Sequence, residues 1–218
     1  MARIAEDLLL LLLDNAANRP ALDRDRREKA LGAAVLLDLA LACRVRPAID
    51  GEPTGRLLLL AGPDLHDPLL DPAVQLLHRR PWKPQAAVTK LRRGVEPALL
   101  GWLEHCGYIR PIQLRGKRFN GSLTWPIADR SRVDHARSAL LAALFDCRCP
   151  TPTTAAIISV LHTVDGLGAL LSLNDRGWRW VNSRAGEIAG GGWVDESAAE
   201  IPLLNLAMVT SAVRPALT

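Results

Sequence analysis

Six consecutive leucines, Leu8 to Leu13, follow Glu6 and Asp7 near the start of the chain. At 3.6 residues per turn such a run puts apolar side chains on every side of a helix. A helix of that kind has no face for water, so other elements must surround it. A second stretch, LGAAVLLDLALA from Leu31 to Ala42, imposes the same demand, with Asp38 its one charge. The spacing predicts helices over 4–14 and 26–43. A lone Asp among apolar neighbours is expected as a paired or edge residue rather than a catalytic acid.

The remaining helices are read from apolar periodicity and from start and stop residues. They fall at 67–78, 84–94, 96–106, 131–145, 153–164, 174–188 and 195–213. Gly94 is read as a helix stop and Pro97 as the first turn of a new helix, where its missing N–H costs nothing. Two hairpins are expected. One joins 44–49 to 56–60 across the turn residues DGEPTG, and the other spans 109–125 with Gly116 at its turn. The expected fold class is mainly α: one globular helical domain over residues 1–218, with two small β-hairpins.

No run of apolar residues approaches the ~20 needed to span a bilayer. The start of the chain lacks the cationic segment and longer apolar run of a secretory signal. An intracellular protein is expected, cytoplasmic or associated with the inner face of the membrane. The four cysteines, at 43, 106, 147 and 149, are expected as reduced thiols, since no second pair completes a metal site with Cys147 and Cys149. The five histidines are scattered, and no phosphate loop, dinucleotide fingerprint or nucleophile elbow is present. Neither an enzyme, a cofactor nor a metal is expected.

Charge distribution says more than the net +4. Between Arg79 and Arg118 stand ten cations against Glu96 and Glu104, giving +8 there and −4 elsewhere. A basic block in an otherwise acidic chain reads as a surface for anions. Within it, KLRRGVEPALL places Lys90, Arg92 and Arg93 ahead of the predicted helix start at Pro97, whose free N–H groups would favour an anion. Glu96 stands at that same start, and its carboxylate is expected to hold Arg92 or Arg93. Lys117 and Arg118 form a second group at the predicted hairpin tip, beside Phe119.

Several stretches, in order and covering most of the chain, together resemble the Golgi phosphoprotein 3 family in its bacterial branch. They are DLLLLLLD (7–14), LGAAVLLDLALACRV (31–45), HDPLLDPAVQLL (66–77), LLGWLEHCGYI (99–109), TWPIAD (124–129) and TPTTAAIISVLHTVDGL (151–167). The resemblance implies a single helical domain around a central bundle. From the eukaryotic members it implies a peripheral membrane adaptor that binds phosphatidylinositol 4-phosphate. The family's headgroup-binding Trp and first Arg fall at about Asp23 and Gly32, and its R-x-x-R pair falls on Arg93 and Glu96. Arg24, Arg26 and Arg27 flank the first of these positions and could compensate. The family's hairpin corresponds to the segment between Ile112 and Thr124, a place for membrane contact through Phe119 or for homo-oligomer formation.

Three readings of the basic block remain open. An anionic lipid surface with a phosphoinositide-like headgroup is the first, with Lys90, Arg92, Arg93, Lys117, Arg118, Arg24, Arg26 and Arg27 as binding residues. A nucleic acid read by a winged-helix-like basic hairpin is the alternative, although the predicted helix 96–106 brings no cation to a groove. The third is a non-enzymatic interaction protein whose cations are a solvated face.

Overall fold

The computed structural model describes residues 3–113, 123–194 and 200–218. The two apolar stretches form α1 (Arg3–Leu13) and α2 (Arg24–Leu41). All six leucines of α1 are buried, and α2 is buried continuously from Ala30 to Ala40. The all-round burial is met by packing α2 against four other helices. These are α1, α4 (Pro84–His105), α6 (Pro152–Thr163) and α8 (Ile201–Val213). Around this centre lie α3 (Asp71–Arg79), α5 (Ser131–Phe145) and α7 (Asp175–Ala189). The result is a mainly helical domain with two small two-stranded antiparallel sheets.

Asp38 has the structural role that its setting predicts. Its carboxylate accepts hydrogen bonds from the backbone N–H groups of Ile4 (2.8 Å) and Ala5 (3.0 Å), from within the core. Those donors belong to the first turn of α1, which has no partners inside its own helix. A residue of α2 thus caps α1, and its negative charge suits the positive end of that helix. Salt bridges tie α1 to α5 as well: Arg132 pairs with Glu6 and Asp7, and Arg137 with Asp14. Burial raises the Glu6 carboxyl above its ordinary range, against the pull of the Arg132 guanidinium.

The expected break between helices at Gly94 is absent. α4 runs unbroken for 22 residues, with Pro97 inside it. Pro97 removes one backbone hydrogen bond and crowds the carbonyl four residues earlier, a defect of about 3 kcal/mol in a helix interior. The face that carries the defect is the wet one, since Arg93, Gly94, Pro97 and Ala98 are exposed. On the opposite face Val88, Leu91, Val95, Leu99 and Leu103 are buried in one stripe that continues through the proline. Tertiary burial along that stripe outweighs the local breakers. The cations of KLRRG therefore lie within a helix, not ahead of one.

α2 and α4 pack closely at Gly32. A Cβ there would lie 3.4 Å from the backbone N and Cα of Arg92, so the two helix backbones meet with nothing between them. The position has no space for a long side chain.

The first hairpin pairs β1 (Val45–Pro47) with β2 (Leu57–Leu59), Arg46 opposite Leu58. Its turn is clasped by Arg46, which donates two hydrogen bonds to the Glu52 carboxylate at 2.5 and 2.6 Å. The second hairpin pairs β3 (Ile112–Gln113) with β4 (Leu123–Thr124). Its predicted tip, with Lys117, Arg118 and Phe119, lies outside the described residues. No described helix is long and apolar enough to cross a membrane. All four cysteines are free, and no metal-binding cluster occurs among the described residues.

Candidate functional site

Three of the predicted cations converge on one groove. Arg24 and Arg27 come from the first turns of α2, and Arg93 from the middle of α4. Trp125, directly after β4, closes one side, and Pro97, Leu100 and Gly101 lie along the α4 wall. The open groove has a volume of about 520 Å³. Helical geometry explains the selection: Arg24 and Arg27 are three residues apart and share a face of α2. Arg26, turned about 100° from Arg27, cannot share that face.

The groove also holds two acids, Glu28 and Glu96. Arg27 Nε donates to Glu96 Oε2 at 2.9 Å, and Arg24 Nε to Glu28 Oε1 at 2.6 Å. A second nitrogen of Arg27 donates to the Leu22 carbonyl at 2.8 Å. Leu22 has φ +71°, a left-handed conformation that strains a leucine, so Arg27 also braces the turn that leads into α2. The Arg27–Glu96 pair is screened from solvent, whereas the Arg24 side chain is largely open to it. Arg93 is exposed and has no ion-pair partner among the described residues. The groove thus sums to +1: three arginines against two glutamates, with Arg93 as the uncompensated charge.

Glu96 is paired, but its partner is Arg27 rather than the expected Arg92 or Arg93. Arg92 leaves its helix in another direction and donates to Asp25 at 2.6 Å; Asp25 also meets Lys29 at 3.2 Å. Arg26 turns to the far side of α2, where it meets Asp23, Asp165 and the backbone carbonyls of Val164 and Asp165. Lys90 lies on the other flank of α4, at the rim of an apolar cavity. Sequence reasoning missed Trp125 and Glu28 as groove residues. Neither carries a local signal, because each reaches the site only through the packing of α2, α4 and the second hairpin.

The α2 N-terminus opens beside this groove. Asp23 accepts one of its free N–H groups, that of Arg26, at 3.0 Å. The Arg26 guanidinium and this N–H together hold the Asp23 carboxyl below its usual range. The helix dipole adds positive potential to a site whose own side chains are nearly balanced.

The chain is thus a mainly helical domain whose α2 and α4 frame a weakly cationic groove, with an aromatic wall and a short hairpin beside it. The family model for Golgi phosphoprotein 3 (GPP34) matches residues 4–202, and the chain belongs to that family. No curated relative matches it.

Proposed function

We propose that this protein is a peripheral, non-catalytic binder of anionic membrane lipid, with the Arg24, Arg27, Arg93 and Trp125 groove as its headgroup site. The observation that carries the reading is Arg93. It is an exposed, unopposed cation, placed by α4 in a groove with a second open arginine, Arg24, and an indole wall. The family's lipid-binding arginine pair corresponds to Arg93 and Glu96, so the first member is kept here and the second is replaced by an acid. Glu96 neutralises Arg27 at the place where a phosphate would sit. The groove therefore favours anions without strong selection among headgroups.

Ile112 and Leu123, 48% and 50% exposed at the base of the second hairpin, offer apolar contact beside the groove. Each cation close to an anionic leaflet contributes about 1 kcal/mol, and that attraction decays within a Debye length of about 8 Å at physiological salt. Attachment is expected to be weak and salt-sensitive.

The test is co-sedimentation with phosphatidylcholine vesicles containing phosphatidylinositol 4-phosphate or phosphatidylglycerol, at low and physiological salt. Binding at low salt that Arg93→Ala weakens about fivefold supports the site. Equal binding to neutral and anionic vesicles, or an Arg93→Ala variant that binds as the parent does, overturns it.

A further inference from the structure

The other flank of α4 carries a second concavity, of a different chemical character. It is a cavity of about 300 Å³ floored by Val35 of α2 and walled by Leu69 and Leu76 on the α3 side and by Leu91 and Val95 of α4. No residue lines both this cavity and the arginine groove. Lys90 is its one titratable lining residue. It is exposed and has no ion-pair partner among the described residues. Gly94 lies at the mouth: a Cβ built there meets nothing within 4 Å, so the entrance is open at that position.

An apolar cavity with one polar group at its edge is the usual form of a small-ligand site, and 300 Å³ is at the lower end of their sizes. That is room for a slender chain and too little for a helix of a second copy, which is about 10 Å across with its side chains. The Lys90 ammonium, exposed beside the cavity, adds attraction for an anionic head, adds none for a neutral hydrocarbon and repels a cationic amphiphile. We infer that the cavity binds a single-chain amphiphile with a carboxylate head, a fatty carboxylate, its chain between α3 and α4 and its head against Lys90 Nζ. This site is separate from the headgroup groove and does not depend on it.

Dodecanoate titrated into the full chain below its micellar concentration, followed by calorimetry, tests the inference. One site per chain is expected. Gly94→Leu and, independently, Ala98→Leu should remove the heat of binding by growing a side chain over the mouth. Gly94→Leu should also raise the thermal midpoint, because leucine is the better helix former, and this separates blocking from misfolding. Lys90→Gln should weaken binding about threefold, the scale of an exposed ion pair, while Lys90→Arg keeps it. Arg93→Ala should leave dodecanoate binding intact.

Binding of dodecylammonium as tight as that of dodecanoate overturns the proposal, and so does parental binding by both mouth variants. Failure of the parent to bind dodecanoate, with loss of phosphatidylglycerol-vesicle binding in Gly94→Leu, assigns the cavity to a bilayer lipid and overturns it too.

Discussion

Arg27 and Glu96, 69 positions apart in sequence, form an ion pair of 2.9 Å whose side chains are 14% and 16% exposed. The pair fastens the start of α2 to the middle of α4 and sets the charge of the groove between them. Removing the acid changes both properties at once, in opposite directions for stability and for anion binding.

Glu96→Gln should strengthen binding to anionic vesicles by about 1 kcal/mol, because Arg27 then joins Arg93 and Arg24 as an available cation. Stability should fall by about 1 kcal/mol, as expected for a partly screened pair. Vesicle titration and urea unfolding measure the two effects. Glu96→Arg would give the larger gain in lipid affinity and the larger loss of stability, since two arginines would then face each other. An unchanged vesicle affinity in both variants would remove Glu96 from the site.

Asp38→Ala should destabilise the fold by about 2–4 kcal/mol, combining a lost cap with two buried N–H groups left without an acceptor. Asp38→Asn keeps one acceptor oxygen and should lose less. Urea midpoints for the two variants, compared with the parent, give the order. Equal midpoints for all three proteins would contradict the capping role.

Pro97→Ala should stabilise the protein by about 1–3 kcal/mol, because an alanine restores a hydrogen-bond donor in a helix interior. Were Pro97 at the first turn of a separate helix, the same change would be close to neutral. Thermal or chemical unfolding therefore distinguishes the continuous α4 from two shorter helices.

Acid stability should depend on Glu52. The hydrogen bonds from Arg46, with a smaller contribution from the Ile49 N–H, lower its carboxyl from 4.5 in the unfolded chain to about 2. Between those values the unfolded state binds more protons, so the pair's contribution is complete above pH 4.5 and is lost as the pH falls toward 2. Glu52→Gln should therefore be less stable than the parent at pH 7, and the gap should close by pH 2. A constant gap across that range in unfolding midpoints would count against the assignment.

The helices whose burial is nearly complete were the easiest to read from sequence, since Leu8 to Leu13 and Leu31 to Ala42 allow no other setting. The limits of α5, Ser131 and Phe145, were legible as well. α4 was not, because Gly94 and Pro97 are strong local breakers, and only the packing of Val95 and Leu99 against the core overrides them. The site was legible in part. Arg93 came from the basic stretch KLRRG and again from the family resemblance, and Arg24 and Arg27 from their nearness to its first-loop position. Their separation from Arg26 depends on where α2 starts and which way it turns. The pairing of Glu96 with Arg27 depends on how α2 crosses α4 at Gly32, and nothing local to either residue encodes it.

The cap on α1 bears on synthesis. The acceptor for the Ile4 and Ala5 N–H groups lies more than thirty residues downstream, so α1 leaves the ribosome before the group that closes its first turn. Until Asp38 and the apolar half of α2 follow, the leucine run has neither its cap nor its principal packing surface. The two segments therefore mature as one unit, and a fragment ending between them would carry a six-leucine segment with neither its cap nor its main cover.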